Sequence, residues 1–145
     1  MKSVNYQLRV KYVDALDGMV VNAVTIPVYY MQLPEGATYS NYILLVNPAN
    51  GNASTKNSSD TNTTMQVQIH TWAENGNAGK MADDIANEVY QQIYPNPQFN
   101  LDLSGDGLQM VSTTMISDNT NPITDAGNRE FITRIINFEH NIYHK

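Results

Sequence analysis

The stretch TMQVQIHTW, from Thr64 to Trp72, alternates with period two and then stops at the cluster AENGNAG. Met65, Val67, Ile69 and Thr71 fall on one face of an extended chain, and Gln66, Gln68, His70 and Trp72 fall on the other. That pattern predicts a half-buried strand with its apolar side toward a core. The period then changes. From Ala78 to Ile93, Met81, Ile85, Val89 and Ile93 recur at every fourth residue, and Ala82, Ala86 and Tyr90 widen the stripe. This is an amphipathic helix with Asp83, Asp84, Asn87, Glu88, Gln91 and Gln92 facing away. Asn77 is positioned to cap its start and Pro95 to end it. The acidic pair lies in the first two turns, where the helix dipole favours negative charge.

Strand, turn and helix in this order need a sheet and a second covering element. Val4 to Leu16 supplies the latter: Leu8, Tyr12 and Leu16 share one helical face, and Gly18 is a natural stop. Val28–Gln32 and Tyr42–Asn47 are rich in β-branched and aromatic residues and predict two strands separated by LPEGATYSN. Pro27 belongs at a strand start or on an edge, because it has no N–H for a ladder. Residues 48–62, PANGNASTKNSSDTN, have almost nothing to bury and predict a long polar loop. Their three Asn-x-Ser/Thr sequons, at Asn52, Asn57 and Asn62, read as chance in an Asn/Ser/Thr-rich stretch. FNLDLSGDGLQMVSTTMIS predicts a hairpin or bulged strand pair turning at Gly105-Asp106-Gly107. DNTNPITDAGN predicts a second polar loop, and Arg129–His140 a last strand. The expected fold is α+β: one domain over residues 1–145, with a mainly antiparallel β-sheet carrying two packed helices.

A chain of 145 residues is the size of one domain, and 41% hydrophobic residues suffice for a single core. A formal net charge of -6 argues against wrapping nucleic acid through phosphate neutralisation. The absence of cysteine excludes disulfides, thiolate zinc sites and cysteine nucleophiles. No run approaches the roughly 18 apolar residues of a membrane span, and the first residues lack the apolar segment of a secretory leader. No membrane partner is expected. Only 15% of residues are charged, a polar but weakly charged surface of the kind that suits stable protein contacts.

The ingredients of catalysis do not converge. His70 lies on the polar face of its strand, and His140 and His144 lie near the C-terminus; all three read as ordinary surface histidines without metal-ligand spacing. DLSGDG, Asp102 to Gly107, resembles the start of a calcium loop but has Thr113 where the twelfth-position Glu belongs, and turn chemistry explains it. Asp83 and Asp84 are adjacent on a helix, so they point about 100° apart and cannot form an acid–base pair. Glu74 and Asp84 could approach across the turn, but nothing else marks a cleft. GNAGKM lacks the phosphate-loop spacing, and Lys80 reads as a solvated lysine rather than an anion ligand. The expectation is a protein that is not an enzyme, with no catalytic residues, metal or cofactor.

Two blocks, IPVYYMQLPEGATYSNYILLV and MQVQIHTWAENGNAGKMADDIANEVYQQI, resemble the tail completion and tail terminator (head–tail connector) proteins of tailed bacteriophages. The positions that carry the likeness are Pro34, Gly36, Tyr39, Tyr42 and Ile43; then Val67, Ile69, Thr71, Trp72 and Ala73; then Met81, Ala82, Ile85, Ala86 and Val89. The chain departs from the family at Ser40-Asn41, where Pro is frequent, and in the length of residues 48–62. The resemblance implies an α+β subunit that assembles into a homo-oligomeric ring, commonly a hexamer, with a dodecamer as the other form. Such a ring would sit in the virion at the head–tail junction or the end of the tail tube. Portal, connector or tail-tube proteins would be its neighbours, double-stranded DNA would pass through it without sequence-specific binding, and it would be assembled in a bacterial host's cytoplasm.

Trp72 is the residue that packing explains least, because it occupies the polar face of its strand. It is either covered locally by a helix or a subunit contact, where Trp is enriched as an anchor. Trp72, Glu74, Asn75, Asn77, Tyr39 and Tyr42 are the subunit-interface candidates. The rival reading is a soluble binding domain that uses the 48–62 loop for a protein or carbohydrate partner.

Overall fold

The computed structural model describes residues 4–33, 41–52, 60–74, 77–95, 101–124 and 129–145. Helix α1, Asn5–Leu16, buries Leu8, Tyr12 and Leu16, the residues whose spacing predicts it. Gly18, at φ 76, turns the chain out of the helix in a conformation cheap only for glycine. A small hairpin follows, β1 (Met19–Val21) against β2 (Val24–Ile26). Its two-residue loop puts Asn22 and Ala23 at φ 51 and 65, the double left-handed turn that matches strand twist. The sequence reading missed this hairpin because the loop has no glycine.

Strand β3, Val28–Tyr30, begins directly after Pro27 and forms one edge of the main sheet. The Pro27 carbonyl accepts the Ile43 N–H at 2.9 Å, so the residue joins the ladder only through its acceptor. The other strands are β4 (Tyr42–Asn52), β5 (Asp60–Glu74), β6 (Leu108–Thr124) and β7 (Arg129–His144), in the spatial order β3-β4-β5-β7-β6. Three pairings are antiparallel and β3–β4 is parallel. Helix α2, Asn77–Ile93, lies between β5 and the rest of the chain in sequence and packs on β5 and β7.

Both helices cover one face. Met65, Val67 and Ile69 of β5 and Ile136, Phe138 and Ile142 of β7 point into it, where they meet Leu8, Tyr12, Leu16, Ile85, Val89 and Ile93. Each such side chain contributes roughly 1.5–3 kcal/mol by leaving water. A smaller cluster of Ala78, Ala82 and Ile132 seats the first turn of α2. The alternation of Thr64–Trp72 and the stripe of Ala78–Ile93 are two halves of this packing.

Four expectations are corrected. The described parts of the 48–62 stretch are strand, not loop: β4 runs to Asn52 and β5 starts at Asp60, and 53–59 lie outside the described residues. The hairpin expected around Gly105 is a 3-10 turn at Ser104–Asp106 that leads into one long strand, β6. That strand runs through most of the expected polar loop to Thr124, and its Pro122 is tolerated because β6 is an edge. The last strand continues to His144. The polar ends of β5 and β6 share a cause. Polar residues such as Asn62, Asn119 and Asn121 extend here because β7 supplies a ladder across from them, a non-local term that local propensity does not contain.

Candidate functional site on the open face of the sheet

The face opposite the helices has no covering element among the described residues. Register places on it Tyr29 of β3, Tyr42, Leu44 and Val46 of β4, and the even-numbered residues of β5. From β7 come Phe131, Thr133, Ile135, Asn137, Glu139 and Asn141. Most are half-buried by their neighbours across the strands. Among the described side chains, only Asp60 and Glu139 bring charge to this face, and both are acidic.

Its centre is a chain of side-chain hydrogen bonds. Thr133 lies 3.3 Å from His70 Nδ1, and His70 Nε2 lies 3.1 Å from the Gln68 carbonyl. Gln68 donates to Gln66 at 2.5 Å, Gln66 to Asn137 at 3.3 Å, and Asn137 to Ser117 at 2.9 Å. The Gln68 carbonyl requires a proton on His70 Nε2, and in the neutral ring Nδ1 then accepts from the Thr133 hydroxyl. Burial lowers the His70 pKa, which favours that form. Farther along, Asn141 donates to Asn62 at 2.8 Å.

One end of the face is aromatic. His70 stacks on Tyr42 with centroids 4.7 Å apart and planes at 15°, and Tyr29 meets Tyr42 edge-on at 6.3 Å. Trp72 tilts against Phe131 at 6.5 Å, the residue opposite it on β7. Neither described helix covers Trp72. The first turn of α2 is on the other face, where Thr71 donates to the Ala78 carbonyl at 2.9 Å. Of the interface candidates, Trp72 and Tyr42 are therefore brought together at this end. Glu74 closes the same strand, and Asn77 is exposed as the first residue of α2. Tyr39 and Asn75 lie outside the described residues. Sequence reasoning missed Tyr29 and Phe131. The polar face of β5 was visible in its alternation, but its partners on β7 depend on register.

Two polar clusters lie on the helix side. His140, expected at the surface, is fully buried, because strand β7 continues past it and carries it under α1. Its Nε2 bonds the Tyr12 hydroxyl and its Nδ1 lies 2.8 Å from Thr113 Oγ1. A neutral imidazole fits, one nitrogen donating and the other accepting. Burial lowers the His140 pKa to about 4. The second cluster centres on Arg134, whose guanidinium donates to both oxygens of Asp118 at 2.8 and 2.7 Å and to Asp83 at 2.9 Å. Tyr90 donates to Asp118 at 2.6 Å. The guanidinium holds the Asp118 carboxyl below its ordinary range. Burial first, then the Asp118 carboxylate, pushes Tyr90 up to about 12. These bonds tie α2, β6 and β7 together. Lys80 is solvated and paired with Asp84 at 2.7 Å, as expected of a surface lysine.

Among the described residues no three potential metal ligands converge, and no helix is long and apolar enough to cross a membrane. No family model matches the chain, and no curated protein sequence does. The fold has a solved counterpart. A chain in the structure of the virion of native gene transfer agent (GTA) particle superimposes with a TM-score of 0.54 at 13% identity. The match covers 96% of this chain and 92% of that one. At such identity the likeness shows the fold alone: the sheet with two helices on one face is an architecture also used in a virion particle.

Proposed function

We propose that this protein is a structural component of a phage-like virion that forms a ring at the head–tail junction or the end of the tail tube. Its role in this reading is architectural rather than catalytic. The observation that carries the proposal is the fold match to a chain of a virion particle, which covers 96% of this chain and 92% of that one. The sequence resemblance to tail terminator proteins points the same way. The open face supports it physically. Its described side chains are acidic or neutral, and its central amides bond one another along the row. Such a face suits a surface that DNA passes without adhering. The ring would be hexameric or dodecameric, stacked on portal, connector or tail-tube neighbours.

Solution mass tests this directly. The protein is measured by light scattering from roughly 1 to 100 µM, a range that brackets assembly of moderate affinity, and imaged by negative-stain electron microscopy. The expected result is a closed species whose mass is a multiple of the 16.2 kDa protomer, seen as rings. A 16.2 kDa monomer throughout, with no rings in the images, refutes autonomous ring formation.

A further inference from the structure

Among the described strands β3 and β6 form the two edges of the sheet, and they do not look alike. The β6 edge is long and unguarded. Of its described side chains only Asp118 is charged, and Arg134 engages it. Edge strands of free monomers are normally protected by outward charges. Here register shifts at Met110/Ser112 and Met115/Ser117 leave Val111 and Ile116 without a cross-strand partner. These residues are 49% and 53% exposed, and Met115 between them is 36% exposed. Bulges re-aim side chains, and these two aim apolar ones at solvent.

The opposite edge is β3 with α1 beside it. Tyr6 is 62% exposed and Met31 55%. The Arg9 guanidinium lies 5.0 Å from the Tyr6 ring and 4.7 Å from the Tyr30 ring, which joins Tyr6 to the β3 edge in one surface. Met31 holds φ 70, a conformation rare for a residue of its size, while its N–H donates to Leu45 at 2.8 Å. The chain thus leaves the strand there with an apolar side chain outward.

We propose that the β6 edge of one copy, through Val111, Met115 and Ile116, docks on the Tyr6–Met31 edge of a second copy of this chain. The occupant follows from the placement. Two different patches lie at opposite ends of one strand order, an apolar one on β6 and a tyrosine–methionine one around the Arg9 guanidinium, and a head-to-tail contact covers both at every junction. Such a contact repeats in one direction until the rotation closes a ring. A two-fold β6–β6 contact would cover one patch and leave Tyr6 and Met31 in water. This inference rests on the ring reading and names the surfaces that build it.

The cysteine-free sequence makes the test clean. The variant carrying both Ile116→Cys and Met31→Cys is treated with a short bismaleimide and compared with each single variant. Head-to-tail docking gives a ladder of covalent multimers from the double variant and none from either single one. Covalent dimers from Ile116→Cys alone show a two-fold contact and overturn the inference. A wild-type protein that forms rings, with a double variant that does not cross-link, overturns the inference and leaves the ring reading standing. A wild-type protein that stays monomeric overturns both. Ile116→Lys supplies the missing edge charge at an exposed position. It keeps the wild-type circular dichroism and weakens association by about tenfold or more; unchanged assembly by that variant also counts against the docking.

Discussion

Acidification should destabilise this protein through His140 before its carboxylates titrate. The ring is fully buried between Tyr12 and Thr113, with no acidic partner in its hydrogen-bond set to stabilise a positive charge. Its pKa falls from the ordinary 6.5 to about 4 on folding. The unfolded chain therefore binds a proton that the folded chain refuses, and stability falls as pH drops from 6.5 toward 4. A gap of about 2.5 units at about 1.36 kcal/mol each sets the full loss at roughly 3 kcal/mol, most of it incurred by pH 4.5. Asp118, whose pKa is lowered by Arg134, acts in a different window: its contribution is present above the ordinary carboxylate pKa and disappears below it. The half-buried His70 adds a loss of the same sign as His140. The assay is urea denaturation at pH 7.5, 6.5, 5.5 and 4.5 for the wild type and for His140→Gln, which keeps a donor and an acceptor but cannot charge. The variant starts less stable at pH 7.5 and shows a flatter profile. Equal slopes for the two proteins between pH 6.5 and 4.5 would refute the assignment to His140.

Arg134→Ala leaves Asp118 without its bidentate partner and should cost about 2–4 kcal/mol in denaturant unfolding, whereas Asp83→Ala, at the exposed end of the same cluster, should cost under about 0.5 kcal/mol. Ala23→Gly relieves a left-handed alanine in the β1–β2 loop and should raise stability by up to about 1 kcal/mol, read as a higher melting temperature; a lower one would contradict the loop geometry. Trp72→Ala should lower the melting temperature by only a few degrees and weaken self-association, because Trp72 packs on Phe131 and no helix. A large stability loss with unchanged assembly would return Trp72 to the core.

The helices and the central strand were legible because their information is local. Spacing of four along Leu8–Leu16 and Met81–Ile93 and period two along Thr64–Trp72 state which side is buried before any partner is known. The polar halves of β4, β5 and β6 were not, because residues there extend only against a neighbouring strand, β4 against β5 and β5 and β6 against β7. The parallel β3–β4 pairing escaped for the same reason: two adjacent strands with a connection between them look alike in sequence whichever way they run. Trp72 stood out as unexplained by packing, and neither described helix covers it. Its partner Phe131 was hidden, since the register that sets it opposite Trp72 is fixed by residues far away in sequence. His140 shows the converse error, where nearness to the C-terminus suggested solvent although the strand carries it into the core.

The hydrogen-bond chain from Thr133 through His70, Gln68 and Gln66 to Asn137 and Ser117 runs one way, each group giving to the next. A solute that approaches the middle of this row finds one N–H and one carbonyl lone pair of Gln68 already committed sideways. The second N–H and the second lone pair stay available, so a solute can bond Gln68 without unseating His70 or Gln66. One reversed amide would break the sequence of giving and accepting, leaving two donors or two acceptors face to face. A single Gln68→Glu change would do the same with a charge added: the carboxylate accepts from His70 but has no N–H to give to Gln66.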